Sequence, residues 1–246
     1  MKFDDISQRN PMPQTFAEQV IAFNTNLHLS VTLPDQVAVM NPFQDNAFAL
    51  PVSSQFYRKY YDDTHKRYLV LGINPGRHGA GLTGVPFTDT KRMEAFCGIP
   101  VDGVHSHEPS SEFVYEVVQA YGGAATFYRD FYINSVCPLG FLKQNSKGKW
   151  VNYNYYDSKA LTQAVEPFIL QTLRQQIDFG VYTEKVFCMG SGKNYNYLMD
   201  LNEREELFGD IIPLDHPRYI IQYKRKLMPQ YIDRWVELLG MAGGKK

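Results

Sequence analysis

The residues from 72 to 87 constrain the fold more than any other part of the chain. They hold five glycines and two prolines and directly follow a short apolar run, residues 68–71. The apolar run predicts a buried strand. So many glycines and prolines argue against a regular helix or strand and predict a loop whose backbone can approach a ligand closely. Asn74 adds an amide to this loop and Phe87 adds an aromatic ring, so we expect a site for a planar ligand.

Apolar segments separated by helical patterns predict the fold class. The segments that predict strands are residues 67–73, 131–136, 185–189 and 211–214. Strands that alternate with helices indicate an α/β fold, here a three-layer sandwich with a central, mostly parallel four-stranded sheet flanked by helices. Ligands of such folds bind beyond the carboxyl ends of the strands. The polar residues at or just after these ends, which we therefore expect to converge, are Asn74, Asn134, Ser191 and His216.

The helical patterns differ in length and in their expected ends. The longest covers residues 158–177, and Pro167 is expected to break or kink it. Ser111 is expected to cap a helix that runs to residue 121. The other expected elements are helices over 16–29, 53–61, 90–96, from 195 and over 228–239, and a short strand over 36–40.

Composition places the chain among ordinary globular proteins. Its 246 residues are 44% hydrophobic and 21% charged, which suits one domain over residues 1–246 with residues 1–14 as a loose arm. We expect no membrane span and no secretion signal, and therefore a cytoplasmic protein, or a nuclear one in a eukaryote. The three cysteines are scattered among apolar residues and are expected to be reduced core thiols: Cys97, Cys137 and Cys188.

The net charge of −1 does not by itself indicate nucleic acid, but the basic residues are unevenly distributed. Residues 216–226 contain four basic residues and no acid, and residues 141–150 contain three lysines and no acid. Such asymmetry is typical of a phosphate-facing surface. Charge alone supports two solvated loops equally well.

Known phosphate-loop, hydrolase and metal patterns do not fit the glycine-rich loops. The loop at 190–194 fails the P-loop pattern because Phe187 and Asn194 stand at two of its required positions. Ser191 is not in a nucleophile elbow, since Met189 replaces the first glycine. The His-x-His pair at 105–107 lacks a third ligand at metal-binding spacing. We therefore expect neither a metal nor a cofactor.

The remaining polar and aromatic groups suit a planar heterocycle. Phe87 can stack on such a ring, and Asn134 can both donate to and accept from the edge of a base. Each residue also has a simpler explanation when taken alone. Asn74 can be a turn residue, Phe87 a core residue and His216 a helix cap.

At these residues the chain resembles the uracil-DNA glycosylase superfamily, and most closely the single-strand-selective monofunctional uracil-DNA glycosylase family. That family's first motif, Gly-Met-Asn-Pro-Gly-x-x-Gly followed by Thr-Gly-Val-Pro-Phe, is matched by residues 72–79 and 83–87. Its Asn-x-Cys-Pro-Leu block is matched by residues 134–139 with one extra residue. Its His-Pro motif, followed shortly by Arg, is matched by residues 216–218. The likeness covers residues 38–240.

The resemblance implies a role for each matched residue. Asn74 would orient the attacking water, and His216 would stabilise the anion of the departing base. Phe87 would stack on the flipped base, Asn134 would bind its Watson–Crick edge, and the backbone around Gly76 would form a pocket wall. No activated lysine stands at the motif, so the resemblance implies a monofunctional, monomeric enzyme that leaves an abasic site. The partner would be uracil-containing DNA.

The chain departs from the family at two places. The Pro-Ser-Pro-Arg that usually follows the histidine is shortened, so either Arg218 or Tyr219 can be the residue that inserts into the duplex. Arg77 and His78 replace a proline and an aromatic residue, and we expect His78 to influence which bases fit. The residues that we assign to DNA contacts are Ser191, Lys193, Pro217, Arg218, Lys224 and Arg225.

Two alternatives stay open on the sequence. One is a member of the same fold that binds nucleic acid without catalysis. The other is a hydrolase of free nucleosides or nucleotides, which would need no basic DNA-facing loops.

Overall fold

The structure, a computed structural model, describes residues 14–243. The loose arm expected at residues 1–14 lies almost wholly outside the described residues. In the described part, seven strands form two sheets. The strands are β1 (Val37–Met40), β2 (Arg67–Gly72), β3 (Phe131–Ser135), β4 (Gly140–Gln144), β5 (Trp150–Tyr153), β6 (Val181–Met189) and β7 (Asp210–Leu214).

The larger sheet contains the four strands predicted from the apolar segments. All neighbours in it are parallel, in the order β3-β2-β6-β7. Leu69, Val70 and Leu71 of β2 are all buried, as expected for a central parallel strand that is covered on both faces. The prediction of a central parallel sheet flanked by helices is confirmed.

Eleven α-helices lie in the described part of the chain. They are α1 (Phe16–Asn26), α2 (Pro42–Asp45), α3 (Ala49–Tyr60), α4 (Ala80–Thr83), α5 (Thr90–Cys97), α6 (Pro109–Tyr121), α7 (Ala124–Asp130), α8 (Lys159–Asp178), α9 (Lys193–Glu205), α10 (Pro217–Tyr223) and α11 (Met228–Gly243). Local signals explain several of their ends. Thr15 and Glu18 form a capping box at α1, and Asp89 caps α5, which ends at Gly98 in the left-handed conformation.

The smaller sheet was not predicted. It is antiparallel, in the order β1-β4-β5, and only β1 was expected from the sequence. Its β4–β5 hairpin contains the three lysines of residues 141–150. Lysine and asparagine are uncommon in strands, and glutamine has no preference for them. The composition of this segment therefore predicted a loop. The hairpin matters because the residues that follow β5 reach the functional site.

Three local predictions were wrong. The glycine-rich loop contains one helical turn, α4, which Gly84 ends in the left-handed conformation. Helix α8 runs on through Pro167 as one element, so the expected break is absent. Helix α6 begins two residues before its expected cap: Pro109 occupies the first turn, where its missing N–H is not needed. The Ser111 hydroxyl instead donates to Asp89 Oδ2 at 2.8 Å.

Candidate active site

A cavity of about 620 Å³ lies at the carboxyl edge of the parallel sheet. Segments from the ends of all four strands line it: Asn74 after β2, Ser135 at the end of β3, Ser191 after β6 and His216 after β7. The volume is in the range of small-ligand sites. The expected convergence therefore holds for three of the four predicted residues, while Ser135 takes the place of Asn134.

Two main-chain groups, one on the last residue of β5 and one just after the strand, fix the side chain of Asn74. Its Oδ1 accepts a hydrogen bond from the Tyr155 N–H at 3.1 Å, and its Nδ2 donates to the Tyr153 carbonyl at 3.3 Å. Because one partner is a donor and the other an acceptor, they define which end of the amide is oxygen. A carbonyl oxygen has two lone pairs, so Oδ1 keeps one for a further donor such as a water molecule.

Tyr155 itself is held by a buried polar network. Its hydroxyl donates to Asn194 Oδ1 at 2.7 Å, and Asn194 Nδ2 donates to the Met189 carbonyl at 3.1 Å. Asn194 is the residue that broke the P-loop pattern, and here it connects the end of β6 to the residue that fixes Asn74. Its role is to position the site rather than to bind phosphate.

Phe87 lines the cavity in an unusual backbone conformation. Its φ of 53° lies in the left-handed region, which costs a bulky residue energy and is held only by surrounding structure. Part of that structure is the buried hydroxyl of Thr83, which donates to the Thr88 carbonyl at 2.6 Å. The ring packs directly over Gly72: a Cβ on Gly72 would lie 2.7 Å from Phe87 Cε2. Glycine at position 72 therefore sets where the ring lies.

The Gly72→Ala substitution is expected to displace the Phe87 ring and to lower kcat/KM roughly tenfold for a substrate base that stacks on the ring, within the range of one lost base–aromatic stack. Steady-state kinetics measures the change on the uracil-containing oligonucleotide that the sequence resemblance implies as substrate. In a Phe87→Ala background the same substitution should have almost no further effect, because the clash is gone. Equal losses in both backgrounds would contradict this explanation.

His216 caps α10 and faces the same cavity. Its Nδ1 accepts a hydrogen bond from the Arg218 N–H at 3.1 Å. Burial, with a smaller effect of the Arg218 guanidinium, lowers the pKa of the imidazole to about 4. The ring is therefore neutral at physiological pH, and since Nδ1 is an acceptor the single proton is on Nε2. His216 and Phe87 lie with ring centroids 6.1 Å apart.

Asn134 does not line the cavity. Its Nδ2 donates to the Tyr132 hydroxyl at 2.7 Å, and its Oδ1 accepts from the Ser135 N–H at 2.9 Å. Successive side chains of a strand point to opposite faces, so Asn134 shares the face of Tyr132 and Ser135 has the opposite one. The extra residue in the second motif is a signal of this exchange. In the family block the asparagine stands two residues before the cysteine, and here the residue two before Cys137 is Ser135.

The remaining predicted residues divide between the cavity and its surroundings. Those that line the cavity are Gly76, Ser191, Lys193 and Arg218. His78 is exposed outside the cavity, where its Nε2 accepts from Arg77 Nε at 3.1 Å. Pro217 is buried as the first residue of α10, so it shapes the helix rather than facing solvent. Lys224 and Arg225 follow that helix, and Arg225 pairs with Glu112.

Several lining residues were missed by the sequence analysis. They are Glu108, Ser110, Asn152, Asn154, Tyr156 and Tyr223. None belongs to a motif, and Asn152 and Asn154 come from or follow the unpredicted strand β5. Only the charge asymmetry of residues 141–150 pointed to this part of the chain.

The described residues 14–243 contain no cluster of three or more potential metal ligands. Within the same residues, no helix is both long enough and apolar enough to cross a bilayer.

Comparison with known proteins gives a family that agrees with this geometry. A sequence profile of the Uracil DNA glycosylase superfamily matches residues 58–240. The crystal structure of wild-type SMUG2 from Pedobacter heparinus is similar, with a TM-score of 0.91 and 48% sequence identity, and covers 94% of this chain and 99% of its own. A search of curated proteins found no match.

The chain therefore belongs to the uracil-DNA glycosylase superfamily, whose enzymes hydrolyse the N-glycosyl bond of uracil in DNA as a step of base-excision repair. Within that superfamily it is a SMUG-like, monofunctional glycosylase, as the motifs of the first and last loops predicted.

Proposed function

We propose that this protein removes uracil from DNA by hydrolysis and leaves an abasic site, with Asn74 and His216 as its catalytic residues. The observation that carries the proposal is that a fixed amide, a neutral imidazole and an aromatic ring open into one cavity of suitable size. These groups supply water positioning, a proton donor for the leaving base, and stacking. A flipped nucleotide brings its base to such a pocket.

In the proposed mechanism the base enters the cavity and stacks on Phe87. The free lone pair of Asn74 Oδ1 accepts a hydrogen bond from water and directs it at the anomeric carbon. An amide is not a base at neutral pH, so Asn74 acts by placing the water. As the glycosidic bond breaks, negative charge grows on the base, and the His216 Nε2–H donates to it. A hydrogen-bond donor that is already oriented, in a site that excludes much of the water, stabilises this negative charge strongly.

Ser135 is the better candidate for contact with the base edge than Asn134. It is buried at the end of β3 and lines the cavity, whereas both polar groups of Asn134 already have protein partners. A hydroxyl both donates and accepts, which suits the mixed edge of uracil. We therefore assign Ser135 to base recognition and Asn134 to support of the strand end.

The rim of the cavity is suited to DNA. Tyr219 and Tyr223 on α10 are 42% and 66% exposed, with ring centroids 5.8 Å apart. Exposed rings beside a base pocket offer stacking for bases next to the flipped one. Arg218 and Lys193 line the cavity, and Lys224 and Arg225 follow α10 in the chain, where Arg225 pairs with Glu112. We assign these basic residues to phosphate contacts, which would make the affinity for DNA depend on salt.

The direct test is incubation with single- and double-stranded oligonucleotides that contain one uracil, followed by alkaline cleavage of abasic sites. Strand scission at the uracil position is expected, and its absence on both substrates would refute the function. A panel of other deaminated and oxidised bases then defines the range of bases excised.

Charge reversal at residues 224–226 separates DNA repair from hydrolysis of free nucleosides. A DNA glycosylase should lose affinity for DNA and show a smaller salt slope after reversal. Unchanged turnover on DNA after reversal would favour a small-molecule substrate. Salt-dependent DNA binding without any turnover would instead indicate a non-catalytic member of the family.

A further inference from the structure

Glu108 is a half-buried acid that lines the cavity and that neither the motifs nor the proposed mechanism uses. It is the residue before α6, where an acidic side chain often accepts hydrogen bonds from the helix N-terminus, yet its side chain makes no such bond. It lines the cavity instead. Its Oε2 is buried and has no hydrogen-bond partner among the described residues.

The carboxyl group of Glu108 packs against the backbone of the glycine-rich loop. A Cβ on Gly79 would lie 1.8 Å from Glu108 Oε2, and a Cβ on Gly76 would lie 3.9 Å from Oε1. Only glycine at position 79 leaves room for the carboxyl group in this place. Glu108 therefore forms part of the same pocket wall as the loop that carries Asn74.

Asp89 fixes the main chain from which Glu108 projects. Its Oδ2 accepts from the Glu108 N–H at 2.8 Å, from the Ser111 hydroxyl at 2.8 Å and from Arg92 Nη1 at 3.2 Å. Asp89 is fully buried, so this anchor does not exchange with solvent. The position of Glu108 is thus built into the start of α6.

The loss of solvent around the Glu108 carboxyl group, more than the neighbouring charges, disfavours a negative charge there. Burial, and next the carboxylate of Asp89, raise its pKa to about 7, while the Arg218 guanidinium opposes the rise. Lys193 and Asp215 also line the cavity, and Asp215 pairs with Arg234. The remaining titratable groups on the packed elements are paired or lie at the surface. Arg92 pairs with Asp89, His107 is exposed beside them, and Glu112 pairs with Arg225. His216 faces the same cavity and is neutral.

We propose that the Glu108 carboxyl group contacts the excised base and helps to determine which bases the cavity accepts. The inference rests on the proposed function. A neutral carboxyl group offers one O–H donor and one carbonyl acceptor, whereas the anion offers acceptors only. Because the glycine-rich loop covers Oε2, Oε1 is the oxygen that can reach the cavity, and as an O–H it can donate to a carbonyl oxygen of a deaminated base. An anion at this place would also repel the negative charge that grows on the leaving base.

The test is the pH profile of single-turnover excision of uracil from a single-stranded oligonucleotide. If only the neutral acid supports catalysis, the wild-type rate should fall roughly 30-fold from about pH 6 to about pH 8.5. Glu108→Gln keeps a donor and an acceptor but does not titrate, so its profile should be flat over that range. Glu108→Ala should be slower at low pH and should change the ratio of rates between uracil and 5-substituted uracils.

Glu116→Gln is the matched control, since it removes an acid from the same helix at an exposed position. It should keep the wild-type profile, and melting temperatures should show that all variants fold. A wild-type rate that stays level or rises above about pH 7, or a Glu108→Gln profile with the wild-type slope, would overturn the inference. Absence of excision by the wild type at every pH would instead refute the proposed function.

Discussion

Replacement of His216 by alanine is expected to slow uracil excision by about 100-fold or more, the usual effect of removing one preorganised donor to a developing anion. The neutral ring is placed for this task because Nδ1 accepts from the Arg218 N–H, which leaves the proton on Nε2. Single-turnover kinetics at saturating enzyme measures the loss in the chemical step. Binding of the uracil-containing DNA should change far less than the rate.

Alanine at position 216 also removes the cap of α10, so a matched variant is needed. His216→Asn keeps a short polar side chain, which is among the best helix caps, and lacks the Nε2–H. We expect it to restore the melting temperature lost in the alanine variant while leaving excision slow. Recovery of the wild-type rate in His216→Asn would show that the cap, rather than the donor, is what catalysis requires.

The Asn74→Ala substitution is expected to lower the excision rate by about 100-fold, because water is no longer held in line with the anomeric carbon. Affinity for DNA should remain close to that of the wild type, since Asn74 acts on water and not on the base. The same variant leaves the Tyr155 N–H and the Tyr153 carbonyl without their side-chain partner. Its melting temperature must therefore be measured beside its rate.

Tyr155→Phe separates positioning from catalysis. It keeps the N–H that binds Asn74 but loses the hydroxyl that donates to Asn194. A smaller loss of rate than in Asn74→Ala is expected, with the pH profile unchanged. If Asn74→Ala retains the wild-type rate, the assignment of water positioning to Asn74 is wrong.

The parallel sheet and its functional edge were predictable because their signals are local. Apolar runs mark β2 and β3, and polar residues such as Asn74 and His216 follow strand ends, whose convergence is a property of the topology. Glu108 gave no such signal. A single acid before a proline in an irregular segment looks like a surface residue until its burial is known.

The β4–β5 hairpin and the exchange of Asn134 for Ser135 escaped prediction for different reasons. The hairpin is rich in Lys, Gln and Asn, and its pairing with β1 joins segments about 100 residues apart. Asn134 was chosen because its amide suits a base edge. In a strand a shift of one residue moves a side chain to the other face. The strand register therefore decides whether Asn134 or Ser135 faces the cavity, and the sequence alone does not show it.

Main-chain groups, not side chains, hold the Asn74 amide. The partners are a carbonyl and an N–H at the end of β5, which every non-proline residue supplies. Substitutions at position 153 can therefore leave the orientation of Asn74 intact as long as the antiparallel sheet forms, whereas position 155 also depends on its hydroxyl group. The same dependence makes that sheet a point of vulnerability: fraying of β5 would inactivate the enzyme while the parallel sheet stays folded. Amide hydrogen exchange at Tyr155 would report on that opening, and therefore on the fraction of molecules that are ready to cleave.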